Sequence, residues 1–183
     1  EFGLGMGLGS CRSLLDSTQY FDDFNLRPLL GEDVPFYGNI GLAQLELCIR
    51  EPSQLEKFLS IMKDLAVDGI IVHVNPLQEW LQPEGDYFCR PPIEVIQEFL
   101  ELVNIPVVVK EVGQGFGPKS LAALLKLPIQ AIEFGAFGGT NFSKVEIMRS
   151  SEQAKEFDAL TKVGHTAVEM VDFANALLTQ LGS

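Results

Sequence analysis

The chain has 183 residues, is 46% hydrophobic and carries a formal net charge of −12, enough apolar sequence for one globular domain with a real core. So acidic a chain disfavours nucleic acid as a partner, because phosphate backbones select basic surfaces; a local pocket can still take a phosphorylated small molecule. No apolar run approaches the ~18 residues of a membrane-crossing helix, no secretory signal is recognisable, and three separated cysteines, Cys11, Cys48 and Cys89, offer neither a dithiol nor a zinc ribbon and fit a reducing cytosol.

Glu1-Phe2-Gly3 reads as the interior of a longer protein rather than a natural start. Gly3 to Leu8 is a strand weakened by its glycines, followed by Gly9-Ser10-Cys11-Arg12. Val34 to Asn39, Gly69 to His73, Pro106 to Lys110 and Ile129 to Phe134 are short, nearly continuous apolar runs rich in Val and Ile. Strands of a parallel sheet covered on both faces have that signature. Between them, Ser53-x-x-Glu56 has capping-box spacing and opens a helix with Leu55, Phe58, Leu59, Met62 and Leu65 at helical intervals. Pro91-Pro92 opens another, with Ile93, Ile96, Phe99, Leu100 and Val103 on one side, and Pro118 opens a short one through Leu125. Gly135 to Gly164 is the least regular stretch and reads as a long connection. A last helix is predicted over 166–181, with Ala167, Val171, Ala174, Leu178 and Leu181 as its core stripe.

Strands and helices therefore alternate, which argues an α/β fold on a parallel sheet. An open doubly wound sheet is one solution. An incomplete (β/α)8 barrel of about five β/α units, forming a single partial domain over residues 1–183, is the other. In both, function belongs at the carboxyl ends of the strands.

Those ends are polar. The richest is His73-Val-Asn-Pro-Leu-Gln-Glu79, directly after Gly69-Ile-Ile-Val72. Strand period puts Ile71, His73 and Asn75 on one face and Val72 and Val74 on the other, while Pro76 ends the strand and gives Gln78 and Glu79 to the loop. An isolated histidine on a core strand is usually a satisfied core residue; one accompanied by Asn75, Gln78 and Glu79 points to a site. Lys110 ends a buried apolar strand, which is costly unless it meets a ligand anion or an acid such as Glu111 or Glu133. Gly113, Gly115 and Gly117 follow it. Phe134 to Phe142 contains Gly138-Gly-Thr-Asn141, bare amides with a hydroxyl suited to a phosphate or carbonyl-rich ligand. Asn39 lies between glycines, and the guanidinium of Arg12 can fork onto phosphate or make a surface ion pair. His165 reads as a capping or surface residue.

Met6-Gly-Leu-Gly-Ser-Cys-Arg12, Gly38-Asn-Ile-Gly41 with Ala43-Gln44-Leu45, His73-Val-Asn-Pro-Leu-Gln-Glu79, Val109-Lys-Glu-Val-Gly113 and Gly138-Gly-Thr-Asn-Phe142, in this order, resemble type 2 isopentenyl diphosphate isomerase, the flavin-dependent family. The resemblance implies a (β/α)8 TIM barrel that uses reduced FMN, Mg²⁺ and NADPH as reductant in isoprenoid biosynthesis. Its reaction moves the double bond of isopentenyl diphosphate to give dimethylallyl diphosphate, with no net redox change. It implies Asn39, Lys110, Thr140 and Ser10 at the flavin and Arg12, His73, Asn75 and Gln78 at the substrate. Gln78 and His73 would lie beside the chemistry and Glu79 on Mg²⁺, with Glu146 matching a further family acid near the mouth. A cytoplasmic homo-oligomer with no nucleic-acid or membrane partner is also implied. The family's first flavin-contacting strand, its last two strands and its amino-terminal basic contacts have no counterpart, so weak flavin binding, or none, is expected of this chain alone. The competing readings are another FMN-dependent barrel oxidoreductase, such as a 2-hydroxy-acid oxidase, and a non-catalytic piece of the barrel.

Overall fold

Within the strand Gly69–Val74, burial alternates: Ile70, Val72 and Val74 are buried while Ile71 and His73 are half-buried. The next strand, Val107–Glu111, repeats this, with Val107, Val109 and Glu111 buried and Val108 and Lys110 half-buried. Such alternation marks a sheet with one face under helices and the other turned inward. The computed structural model describes residues 4–149 and 157–182.

Five strands are present among these residues: β1 (Met6–Gly7), β2 (Phe36–Gly41), β3 (Gly69–Val74), β4 (Val107–Glu111) and β5 (Ala131–Glu133). All pair in parallel, in the sequential order β1-β2-β3-β4-β5. A doubly wound sheet reverses its strand order at a switch point, and this one never does. With right-handed crossovers, sequential order puts every connecting helix on one side, so the sheet curls into half of a (β/α)8 barrel. The strand starting at Gly3 is only partly inside the described residues, and β1 is two residues long.

The helices are α1 (Arg12–Asp16), α2 (Phe21–Phe24), α3 (Arg27–Leu30), α4 (Leu42–Arg50), α5 (Pro52–Asp64), α6 (Pro76–Leu81), α7 (Pro92–Leu102), α8 (Pro118–Leu124), α9 (Phe142–Arg149) and α10 (Ala167–Leu181), with 3-10 turns at Thr18–Tyr20 and Asp158–Lys162. The core lies between the convex face of the sheet and these helices. Phe36, Ile40, Ile70, Val72 and Val109 meet Phe58, Met62, Ile96, Phe99 and Leu121 there. No described helix is long and apolar enough to cross a membrane.

Several sequence expectations need correction. Ser53 makes no capping box: α5 begins at Pro52 and its N-cap is Glu51, without a side-chain cap bond. Proline at the first helical position supplies the start instead. The capping box occurs on α10, where Thr166 and Glu169 bond reciprocally. The core stripe of α10 is Met170, Phe173 and Leu177, and Val171 is 48% exposed. Both phases have helical spacing, and docking against α8 selects between them. The connection from Gly135 to Gly164 contains α9, capped by Asn141, whose Oδ1 accepts the Lys144 N–H at 2.9 Å.

Candidate active site

The concave face carries its polar groups in register. Gly41 pairs with His73, His73 with Lys110, and Lys110 with Glu133, so one row near the carboxyl ends holds an imidazole, an ammonium and a carboxylate. Asn39, Ile71 and Val108 form the row beneath. With Gly7 and Tyr37 they line an open hollow of about 550 Å³. Gly41 must stay bare, because a Cβ there would lie 2.9 Å from His73 Nε2.

Asn39 is buried and fully oriented. Its Nδ2 donates to the Leu8 carbonyl at 2.8 Å, which leaves Oδ1 to accept from His73 Nδ1–H, also at 2.8 Å. The imidazole thus holds its proton on Nδ1 and keeps a lone pair on Nε2. Burial first, and the Lys110 charge second, push the His73 pKa down to about 4, so the ring is neutral at ordinary pH. Lys110 donates to the Glu111 backbone carbonyl at 2.7 Å and pairs with Glu133 at 3.1 Å. Glu133 is the acid anticipated for it, whereas the Glu111 carboxylate is taken up by loop N–H groups and makes no ion pair with the lysine.

At the end of β3, Pro76 starts α6 and Asn75 is buried at its N-cap. Asn75 Nδ2 donates to Glu79 Oε1 at 2.7 Å and, more weakly, to Gln78 Oε1 at 3.3 Å. Its Oδ1 is buried without a hydrogen-bond partner, a costly state that a ligand donor or ion-bound water relieves. Glu79 Oε2 accepts the Asp86 N–H at 2.9 Å, and Asp86 pairs with Arg12 at 2.7 Å. Arg12, the first residue of α1, is thereby tied to the loop after α6. Gly85 makes that loop possible, since a Cβ there would fall 1.8 Å from the Glu79 carbonyl oxygen. Ser10 is exposed beside Arg12, its Oγ 3.4 Å from the Arg12 N–H.

Gln78 Nε2 reaches Glu146 Oε1 on α9 at 3.3 Å, Gln82 Nε2 reaches the same oxygen at 2.7 Å, and Arg149 pairs with Glu146 Oε2 at 2.7 Å. Burial alone pushes the Glu146 carboxyl up, but these donors outweigh it and leave the group below the ordinary range. Thr140 is exposed in the loop after β5, with its carbonyl facing Gly113, where a Cβ would come to 3.0 Å. The pairings tie the predicted residues into three groups: Asn39, His73 and Lys110; Arg12, Glu79 and Asn75, joined through Asp86 and with Ser10 at its edge; and Gln78 with Glu146. Asn75 bridges the last two. Thr140 stands apart at the rim.

Sequence reasoning missed Asp86, Gln82 and Glu84, for which only the acidic, proline-broken loop at Glu84-Gly85-Asp86 was a signal, and Arg149, for which there was none. It also missed Glu111 as a structural group. Glu111 Oε2 accepts the four N–H groups of Val112, Gly113, Gln114 and Gly115 at 2.6–2.8 Å, folding the glycine-rich loop around one carboxylate. Burial pushes that carboxyl above the ordinary range, against the pull of the four donors.

The donor set fits the groups that the resemblance implies. Mg²⁺ takes one or two carboxylates and completes its shell with water and substrate phosphate; Glu79 beside the unpartnered Asn75 Oδ1 suits that. Among the described residues no group of three or more His, Cys, Asp or Glu side chains forms a metal cage. The hollow beside half-buried Lys110 suits a flat, electron-rich ring.

No family model matches the chain. It is 36% identical over 149 residues to the isopentenyl-diphosphate delta-isomerase of Rickettsia akari, covering 81% of this chain and 42% of the relative. It is 34% identical over 146 residues to that of Mycolicibacterium gilvum (80% and 41%) and 33% identical over 153 residues to that of Thermococcus kodakarensis (84% and 41%). These homologues are isopentenyl-diphosphate delta-isomerases, and the chain spans about two fifths of their length.

Proposed function

We propose that this chain forms a partial-barrel domain carrying the substrate-facing centre of a type 2, FMN-dependent isopentenyl diphosphate isomerase of the cytoplasm. The observation that carries the reading is the joining of Arg12, Asp86, Glu79, Asn75 and Gln78 by hydrogen bonds at one strand-end rim, next to the His73–Lys110 row.

An alkene offers no polar handle, so binding energy must come from the diphosphate. Arg12 supplies a guanidinium for it, and His73 and Asn75 supply further polar contacts. Glu79 would hold Mg²⁺ against the phosphate oxygens. Asn39, Lys110, Thr140 and Ser10 would hold FMN, with Lys110 offsetting negative charge on the reduced ring. Bound reduced FMN supplies an electron-rich surface for a cation-like reacting species, and NADPH is its reductant. Gln78 covers the reacting carbons with an amide of fixed orientation and helps exclude water that would trap a cation. The working protein is proposed to be a homo-oligomer.

The test is turnover of isopentenyl diphosphate with FMN, reductant and Mg²⁺ in a protein that carries this chain within a complete barrel, and in its Gln78→Ala variant. Loss of turnover with flavin binding retained is expected of the variant. Failure of the complete-barrel protein to turn over, or persistence of activity in the variant, sinks the assignment. Oxygen consumption with a hydroxy acid would indicate an oxidoreductase of the same fold instead.

A further inference from the structure

We propose that Gln82 and Arg149 are positioning residues for Gln78, gripping Glu146 from two sides so that Glu146 fixes the direction of the Gln78 carboxamide. The inference rests on the reading of Gln78 as the group beside the reacting carbons.

Gln78 lies in the first turn of α6 and Gln82 is its C-cap, whose N–H bonds to the Gln78 carbonyl, so the two side chains leave on the same side. Both reach Glu146, but unequally. Gln82 Nε2 lies 2.7 Å from Oε1, whereas Gln78 Nε2 lies 3.3 Å from the same atom. Arg149 takes the other oxygen at 2.7 Å. The carboxylate is thus located by Gln82 and Arg149, and Gln78 bonds to what they have placed. A carboxylate only accepts. Gln78 must therefore present its NH2 end to Glu146, which turns Oε1 toward Asn75 Nδ2 at 3.3 Å. A flipped amide would face acceptor to acceptor on one side and donor to donor on the other.

Charge explains why the grip needs an arginine. Glu146 is 4% exposed, and a buried carboxylate without a counter-charge is unfavourable. Arg149 supplies that charge and is itself steadied by Glu84 of the loop after α6. The 3-10 turn packed on α9 carries Asp158 and Lys162, which pair with each other at 3.2 Å. Among the described residues the Gln82 side chain bonds to Glu146, and Arg149 bonds to Glu146 and Glu84, so both reach Gln78 through Glu146.

The experiment reads the Gln78 side-chain NH2 resonances by ¹⁵N NMR in the full chain. Arg149→Gln and Gln82→Met are each expected to move and broaden them, and Arg149→Lys, which keeps the charge, to restore them. In turnover, Arg149→Gln and Gln82→Met should lower kcat roughly 10-fold or more with little change in KM, as misplacement of a reacting group does. If Arg149→Gln does not fold, Gln82→Met carries the test. Unmoved Gln78 resonances in a folded variant, or unchanged kcat, overturn the proposal; a mere tie between α6 and α9 would lower Tm and do neither. Should Gln78→Ala retain activity while the resonances respond as stated, the functional reading falls and the positioning contact stands.

Discussion

His73 donates its Nδ1 proton to an Asn39 oxygen that cannot turn away, because the Asn39 Nδ2 is committed to Leu8. Nε2 therefore meets a ligand as a base. An incoming diphosphate needs a donor, so binding it should draw a proton onto that nitrogen. The free ring titrates at about 4 and is unprotonated at pH 6. A nearby anion raises its pKa, so uptake should be larger at pH 6 than at pH 8. Calorimetry of pyrophosphate binding in buffers of different ionisation enthalpy measures this, taken as the difference between the unaltered chain and His73→Asn. No difference at pH 6 would remove His73 from the anion site. The strand alternation and the polar string from His73 to Glu79 were readable in the sequence, since a period of two and a proline stop are local facts. The partners were not. Asp86, Gln82 and Arg149 meet their targets across loops and helices, and nothing in a one-dimensional pattern distinguishes them from solvated surface charge.

Among the elements, α10 shows how periodicity underdetermines packing. Its apolar residues permit two stripes, and the sequence reading chose the one containing Val171. The fold buries the one containing Met170, which is fully buried where a Cβ on Gly115 would come 2.6 Å from its sulfur. Met170→Ala should cost about 2–5 kcal/mol, whereas Val171→Ala should stay within about 0.5 kcal/mol. Urea melts of the two variants check this, and equal costs would mean that α10 docks by its other side. The helices α1 to α4, α6 and α9 escaped the sequence reading for a related reason; Gln78 and Glu79, read as loop residues, lie in α6. Most are only one or two turns long, and short helices owe their stability to tertiary contacts rather than propensity.

For the whole molecule, the two ends of the half-barrel divide their labour. At the amino ends of the strands, buried Arg27 donates to the carbonyls of Ala66, Gly31 and Val34 and pairs with Asp68 at 2.7 Å. Asp68 in turn accepts the Phe36 N–H. This knot ties α3, β2 and the turn before β3 and faces away from the candidate site. Arg27→Met should lower stability by about 3 kcal/mol or more and leave Mg²⁺-dependent pyrophosphate affinity intact. Glu79→Gln should do the reverse. Thermal melts alongside calorimetry would show the crossing, and parallel losses in both variants would mean that the ends are not separable. The order and parallel pairing of the strands carry a last consequence. Because Val109 and Lys110 are neighbours on opposite faces of β4, the same ladder that seats valines under the helices aims the ammonium at the hollow. A one-residue slip of β4 along β3 would bury the lysine beneath the helices and swing Glu111 into the mouth, so such a slip cannot spoil the chemistry while sparing the scaffold.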